Sequence, residues 1–350
     1  MASLTPEANI KQVVQEPRPS SSVLLLSATN EVLLLHRVKT STSFASAHVF
    51  PGGNLDAFHD GKIPAVDSPE RHRDGAAYRL GAIRETFEET GILLAIKNGA
   101  LVTLSTEQRD EARSNIHGNK VRFGDFLTSI GAVADTANLV PFTRWITPTN
   151  MPKRFTTQMY IYMLPIINKS IPSEMLIPTP DGGVEHTAAR FAPPQFFLAR
   201  AADNAIVLFP PQVYLLTLLA RFLTGSTNDL EAGPVHYDYT AQRKKLVSFL
   251  RRRVTAETSK GKKHATAGIS WADKVMNPYV IIMRRDKDER VVMALDKPGP
   301  ELEASRDRGG DWERVILAKF GKGGPSGVEV RMREEFLGEE REGPEGGAKL

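Results

Sequence analysis

The sequence of 350 residues contains no cysteine, and that absence removes several kinds of chemistry. It excludes disulfides, thiolate zinc sites and cysteine nucleophiles, so carboxylates become the chief metal ligands that the chain can offer. No apolar run approaches the roughly 18 residues that a membrane-spanning helix needs, so we expect no membrane partner. The first 20 residues lack a basic start followed by an apolar core. We therefore expect no secretory signal, and their few basic residues also argue against a mitochondrial presequence.

The composition is that of an ordinary soluble globular protein, with 41% hydrophobic and 25% charged residues. A chain of this length can hold one large domain, or one domain with an extension. The net charge of +4 is modest for 350 residues. Charge alone therefore does not indicate a nucleic-acid partner.

The most informative segment is the run from Arg84 to Ile92, which reads R-E-T-F-E-E-T-G-I. At about 100° per residue on a helix, Glu85, Glu88 and Glu89 share one face. The opposite face of the same helix carries apolar side chains: Ala76, Leu80, Ile83 and Phe87. Crowded carboxylates repel one another unless positive charge lies between them. Oxygen-only ligands on a rigid element suit a hard divalent cation such as Mg²⁺ or Mn²⁺.

The residues that border the glutamates strengthen this interpretation. Arg84 can pair with a carboxylate and orient it, and Gly91 is placed to end the helix with a positive φ. An acidic pair on a helix is more often a solvated face. An arginine, three glutamates and a glycine at these spacings should arise by chance in only roughly one of a few thousand chains. The pattern favours a catalytic role.

This string resembles the signature of the Nudix hydrolase superfamily, in which a glycine and a long gap precede R-E-x-x-E-E-x-G and an aliphatic residue. The resemblance implies an α/β (α+β) fold, an α/β/α sandwich around a mixed sheet. It also implies metal-dependent cleavage of a diphosphate linked to another group. Carried over to this sequence, Glu85 and Glu89 are metal ligands and Glu88 is a ligand or the base. Arg84 then orients Glu85, and Gly52 and Gly53 form the substrate-binding loop before the helix.

The gap before the helix departs from the superfamily pattern. Thirty residues separate Gly53 from Arg84, where the common pattern has roughly 13. The insertion, residues 54–73, is polar and rich in turn-forming residues, which predicts a surface loop. The superfamily's additional glutamate would fall on Ala76, so that ligand is missing unless Asp74 or Glu70 replaces it.

The long insertion resembles one branch, the peroxisomal acyl-coenzyme A diphosphatases. Further matching stretches are residues 47–53, 142–148, 185–191 and 209–212, and the resemblance covers about residues 20–225. It implies that the substrate is coenzyme A or acyl-coenzyme A and that the products are 3′,5′-ADP and (acyl-)4′-phosphopantetheine. Another nucleoside diphosphate derivative (a nucleotide sugar, a dinucleotide or capped RNA) remains an alternative substrate.

Outside the signature helix, a few charged side chains are candidates for the same chemistry. Glu185 is a second candidate for the residue that accepts a proton from the attacking water. Arg37, Lys39 and Arg144 are candidates for contacting substrate phosphates, although a surface role is as compatible with their positions.

The sequence predicts four segments. They are an N-terminal tail (1–20), the hydrolase domain (21–225), a helical and mainly β extension (226–337) and a flexible tail (338–350). The extension should contain an amphipathic helix over Asp238–Val254, a flexible loop over Ser259–Gly268 and four later strands. Its basic stretch, Arg243–Lys263, leaves an RNA-binding module as a non-enzymatic alternative. A solvated helix and loop is the favoured interpretation, because the stretch lacks interleaved aromatic residues except Phe249, which is expected on the apolar face.

The last three residues, Ala348-Lys349-Leu350, resemble the serine-lysine-leucine peroxisomal address. They predict recognition by the peroxisomal import receptor and a location in the peroxisome. The cytoplasm and the mitochondrion remain alternatives.

Overall fold

The computed structural model describes residues 14–38, 46–166, 179, 186–224, 238–285 and 287–341, with the backbone alone for residues 186 and 187. Its α-helices are α1 Ala57–Asp60, α2 Ala76–Thr90, α3 Thr106–His117, α4 Phe123–Ser129, α5 Pro194–Ala202, α6 Pro210–Ala220, α7 Tyr239–Leu250 and α8 Arg333–Arg341. Its strands are β1 Arg18–Leu26, β2 Val32–Arg37, β3 His48–Val49, β4 Gly52–Asn54, β5 Ala95–Lys97, β6 Ala100–Leu101, β7 Val133–Ala134, β8 Val140–Ile146, β9 Phe155–Met163, β10 His186–Ala192, β11 Val275–Met276, β12 Tyr279–Met283, β13 Val291–Leu295, β14 Asp311–Gly321 and β15 Gly324–Met332.

The largest sheet is mixed, as predicted. Its strands run in the order β10-β2-β1-β9-β8-β11, with β3 paired to β2 and β4 paired to β1. β1 is antiparallel to β2 and parallel to β9. β1 and β2 form a hairpin, in which Leu26 pairs with Val32. β4 pairs with the start of β1 and carries the double glycine to the sheet.

The alternation of side chains along β1 divides the interior into two layers. Val23 and Leu25 belong to a core cluster that also contains residues of α2. Leu24 and Leu26 belong to a second cluster that contains residues of α6 and α7. A strand with apolar residues on both faces is one that is covered on both faces. The predicted α/β/α sandwich is therefore confirmed.

The signature helix α2 ends as the sequence predicts, because Gly91 adopts a left-handed conformation with φ 73° and its N–H bonds to the carbonyl of Phe87. Ile83 and Phe87 are fully buried. The prediction for Ala76 is wrong, since this residue is exposed at the first turn. Glu89, on the predicted charged face, is itself buried. The helix is thus enclosed on more sides than a two-faced pattern suggests.

The insertion is more ordered than the predicted surface loop. α1 begins after Asp56, whose carboxylate caps the helix by accepting the N–H of Phe58. His59 is buried, and its Nδ1 accepts the N–H of Phe123 at the start of α4. The ring must then donate from Nε2 to Asn119 Oδ1, 2.7 Å away. Polar composition concealed this packing, because the buried groups are satisfied by partners distant in sequence.

The extension is mainly β, as predicted, and contains an antiparallel sheet in the order β12-β13-β14-β15. Three details of the prediction are wrong. The predicted helix over Asp238–Val254 ends at Leu250, and Val254 is half exposed beyond it. Residues 261–263 and 265–268 form short 3₁₀ helices within the predicted flexible loop. α8 continues to Arg341, beyond the predicted end of order at Leu337.

The extension and the hydrolase sheet share one core. The fully buried Trp271 lies with its ring 5.8 Å from that of Phe142 and 5.0 Å from that of Phe249. The same cluster extends from Leu24 in β1 to Ile316 in β14. The predicted boundary after residue 225 therefore does not separate two cores. Among the described residues, no helix is long and apolar enough to span a membrane.

We predict that a chain ending at Thr224 will not fold, because it lacks Trp271, Phe249 and their neighbours in the shared cluster. Losing each large core side chain costs about 3–5 kcal/mol, and the total stability of a domain is only about 5–15 kcal/mol. Urea denaturation followed by tryptophan fluorescence and gel filtration should show no cooperative transition and an aggregated protein. A chain ending at Arg341, which keeps every described residue, is the control. A cooperatively folded 1–224 fragment would contradict the shared core.

Candidate active site

The centre of the site is the guanidinium of Arg84, which is 4% exposed. Its Nε and Nη2 each donate to the carboxylate of Asp60 at 2.9 Å. Nη2 also donates to the carbonyl of Asn54 at 3.0 Å. The remaining nitrogen, Nη1, lies 2.8 Å from Glu88 Oε1 and 3.0 Å from Glu85 Oε1. One permanently charged fork therefore holds three carboxylates.

Glu85 occupies the place that a side chain at position 53 would fill. A Cβ on Gly53 would lie 2.6 Å from the carboxyl carbon of Glu85. Burial raises the pKa of Glu85 from 4.5 to about 7, and the carboxylates of Glu88 and Asp60 add to this shift while Arg84 partly opposes it. The cluster carries more negative charge than the single arginine balances.

Glu89 is held by the backbone of β4. It is buried, and its Oε2 accepts the backbone N–H of Gly52 at 2.8 Å. Position 52 has no room for a side chain, because a Cβ there would lie 2.3 Å from the carbonyl oxygen of Ser21. The double glycine thus brings the backbone of β4 against two glutamates. In this structure it positions Glu85 and Glu89, whereas the sequence predicted that it binds substrate.

Two side chains of α3 reach Glu88, and sequence reasoning missed both. His117 Nδ1 lies 3.3 Å from Glu88 Oε2. Arg113 donates from Nε and Nη2 to the backbone carbonyl of Glu88, at 2.9 and 2.7 Å, near the carboxyl end of α2. A cation is favourable at a helix C-terminus. Their i, i+4 spacing places both on one face of a helix, which was the available signal.

The donor set of the site consists of hard oxygen atoms. Glu85 and Glu88 each use one oxygen for Arg84, and Glu89 uses one for Gly52. Donors of this kind fix the orientation of a carboxylate for a cation. Within the described ranges, no three His, Asp or Glu side chains are grouped to enclose a metal ion. The residues fit a cation that takes its other ligands from water and substrate oxygens, which is how Mg²⁺ is commonly bound.

Neither proposed replacement for the ligand missing at Ala76 lies with the glutamates. Asp74 accepts the Tyr160 hydroxyl at 2.6 Å and pairs with Arg79 at the start of α2. Glu70 is paired with the hydroxyl of Ser68. Ala76 and Glu85 are separated by about 14 Å of helix rise. The described structure therefore gives neither residue a part in the cluster.

The structure does not support Arg144 as a contact for substrate. This side chain is 1% exposed and lies 4.4 Å from the centre of the Tyr78 ring. It donates to Thr156 Oγ1 and to the carbonyl of Arg73. Burial lowers its pKa. Its place on β8, under α2, makes it part of the packing between sheet and helix.

Of the remaining predicted residues, the structure describes only Arg37. Arg37 lies half-buried at the end of β2, and its backbone N–H bonds to the carbonyl of Ala47. Glu185, Lys39 and the terminal tripeptide lie outside the described residues.

Part of the basic helix α7 serves packing rather than the surface. Arg243 donates to Asn30 Oδ1 and to the carbonyls of Leu164 and Ser27, each at 2.7 Å. Phe249, the one aromatic residue of the basic stretch, is buried as expected. Both residues thus serve packing, whereas Arg251, Arg252 and Arg253 are exposed, so the RNA-binding alternative stays an untested prediction.

Comparison with known proteins matches residues 65–219 to the NUDT19 Nudix domain. A Caenorhabditis elegans protein named as nudix hydrolase 7 is 29% identical over 216 residues, 61% of this chain and 63% of that protein. The acyl-coenzyme A diphosphatase NUDT19 of Gallus gallus is 27% identical over 248 residues, 57% of this chain and 63% of its own. A solved NUDIX hydrolase from Alicyclobacillus acidocaldarius is 20% identical, with a TM-score of 0.47, and covers 61% of this chain and 93% of that chain. The chain thus spans less than two thirds of the length of these curated relatives. The match to the Nudix domain confirms the predicted resemblance to the superfamily.

The raised pKa of Glu85 predicts a pH dependence of stability. Between pH 4.5 and about 7 the folded protein keeps a proton that the unfolded chain releases. This contribution to stability is complete below pH 4.5 and is lost as the pH rises through about 7. In metal-free buffer at pH 8, Glu85→Gln should therefore be more stable than the wild type, by up to about 3 kcal/mol. Urea denaturation at pH 5 and pH 8 measures the difference, which should shrink at pH 5.

The exposed Glu303 provides the control, because Glu303→Gln should change stability little at either pH. Equal stability of the wild type and Glu85→Gln at pH 8 would show that burial does not raise the pKa of Glu85 in the folded protein.

Proposed function

Because this chain carries a Nudix domain, we propose that it is a divalent-metal-dependent diphosphatase acting on coenzyme A or acyl-coenzyme A. The observation that carries the proposal is the cluster in which Arg84 binds Glu85 and Glu88 beside the buried Glu89. The names of two relatives support the substrate, since both are acyl-coenzyme A diphosphatases, from Gallus gallus and Xenopus laevis. The products would be 3′,5′-ADP and (acyl-)4′-phosphopantetheine.

The residues that would hold Mg²⁺ or Mn²⁺ are Glu85 and Glu89, with Glu88 as a further ligand or as the base. A cation bound there supplies positive charge to the diphosphate oxygens and so permits a nucleophile to approach. The fit rests on the oxygen donors and on the two glutamates and one aspartate that share the single guanidinium of Arg84.

The protein's own groups would act on the attacking water and on the glutamates. An oxygen of water forms a bond to one phosphorus, the bridging P–O bond breaks, and the bridging oxygen leaves with the other phosphate. Glu88 would accept the proton of the water, and Glu185 is the second candidate for that role. Arg84 holds Glu85 and Glu88 in place, and the N–H of Gly52 holds Glu89.

Positive charge near the substrate is the remaining requirement. Coenzyme A carries a 3′-phosphate in addition to its diphosphate, so a binding site needs cationic side chains. Arg37, at the end of β2, remains our candidate for such a contact. Arg144 is buried and does not face a substrate.

We predict that Glu89→Gln will abolish hydrolysis, since it removes a ligand that the fold holds in place. Losing several kcal/mol of charge stabilisation corresponds to a drop of at least about 100-fold in rate. The assay is mass spectrometry of phosphopantetheine formed from coenzyme A in the presence of Mg²⁺. The exposed Glu303→Gln variant should retain the wild-type rate.

Two results would change this proposal in different ways. If the wild type releases no phosphopantetheine above the Glu89→Gln background, coenzyme A is not a substrate. Cleavage of a nucleotide sugar, a dinucleotide or capped RNA in the same assay would then identify another diphosphatase activity. Failure on every diphosphate would refute the enzymatic proposal.

We also propose that Ala348-Lys349-Leu350 directs the protein to the peroxisome through the import receptor. A fluorescent protein fused to the N-terminus should give a punctate pattern that coincides with a peroxisomal marker. Deleting Leu350 should make the fluorescence diffuse. A punctate pattern that survives the deletion would show that the tripeptide is not the address.

A further inference from the structure

We infer that Asp60, supplied by the long insertion, is a positioning residue that keeps Arg84 from neutralising the glutamates of the site. The role of those glutamates as cation ligands rests on the proposed function, whereas the contacts of Asp60 are features of the fold. The inference gives the insertion a part in the site, where the sequence predicted only a surface loop.

Hydrogen bonds fix the orientation of the Asp60 carboxylate and of the Arg84 guanidinium. The carboxylate receives two N–H groups of the guanidinium, from Nε and Nη2, at 2.9 Å each. Its Oδ2 also accepts the backbone N–H of Asp56, 2.8 Å away at the start of α1. Both side chains are almost completely shielded from solvent. A bidentate pair of this kind fixes direction as well as distance.

As a result, the N–H donors of Arg84 are divided between the insertion and the glutamates. Asp60 takes the edge formed by Nε and Nη2, and the carbonyl of Asn54 takes a further bond from Nη2. Only Nη1 is left to face Glu85 and Glu88. Without Asp60, the guanidinium could turn its second donor toward these glutamates. Arg84 would then occupy the oxygens that a divalent cation needs.

A second feature of the sequence serves the same contact. Gly81 lies in the middle of α2, where glycine is unfavourable for a helix. A Cβ at this position would lie 2.5 Å from Leu55 Cδ2 and 3.0 Å from Asp60 Oδ2. The missing side chain therefore lets the insertion approach the helix closely enough for Asp60 to reach Arg84. The long gap and the helical glycine are explained by one interaction.

The test is direct binding of Mn²⁺ to the full chain, measured by the electron paramagnetic resonance of the free ion. Asp60→Asn keeps the shape of the side chain and removes its charge. We expect its Mn²⁺ affinity to fall about 10- to 100-fold, as for other changes behind metal ligands. Asp74→Asn is the matched control, because it breaks the pair between an aspartate and another arginine of α2, Arg79. Its Mn²⁺ affinity should equal that of the wild type.

Gly81→Ala provides a second variant in case Asp60→Asn does not fold. Alanine favours the helix itself, so weaker Mn²⁺ binding by this variant cannot be attributed to loss of α2. Circular dichroism and thermal melts verify that each variant is folded before its affinity is compared. Folded Asp60→Asn and Gly81→Ala proteins that bind Mn²⁺ as the wild type does would overturn the inference, and so would a wild type that binds no Mn²⁺.

Hydrolysis of coenzyme A, measured in parallel, separates this inference from the proposed function. A wild type that binds Mn²⁺ but cleaves no diphosphate refutes the activity, and the affinities of the variants still decide the role of Asp60. A wild type that cleaves coenzyme A while Asp60→Asn has an unchanged Mn²⁺ requirement refutes the positioning role alone.

Discussion

The buried charge of Arg84 is the constraint on which the candidate site depends. A guanidinium removed from water must find carboxylates, since an unpaired buried charge is strongly destabilising. Here Asp60 meets that need through two hydrogen bonds, and Glu85 and Glu88 share the remaining donor. The fold thus brings negative charge together without fully neutralising it, and burial, with Glu88 and Asp60 nearby, raises the pKa of Glu85.

The excess of negative charge around Arg84 destabilises the fold, and the rest of the structure tolerates it. Local rules of stability are commonly broken where a protein functions, and other contacts compensate. The compensation here comes from packing, with Phe87 stacked on Phe126 beneath the glutamates and Gly91 ending the helix cleanly. The close approach of β4, made possible by Gly52 and Gly53, adds a hydrogen bond to Glu89. A rigid helix and a rigid strand therefore hold groups that repel one another.

The extension contributes to the same rigidity from the opposite face of the sheet. Trp271 packs against Phe142 of β8 and Phe249 of α7, so that the second layer of the sandwich is completed by residues beyond 225. The sequence resemblance stops near that point, but the hydrophobic core does not. Family resemblance follows the catalytic elements, whereas packing follows every apolar face that must be covered.

Local periodicity alone determined α2, its cap at Gly91, and the alternation that places Val23 and Leu24 in different layers. These features depend on residues a few positions apart, where helix and strand geometry act directly. Tertiary structure decided the partners of the charged groups. Asp60 meets Arg84 across 24 positions, and Arg144 is buried under Tyr78 rather than presented to substrate. No periodicity encodes such pairs, because a buried charge is satisfied by whichever group the fold brings within reach.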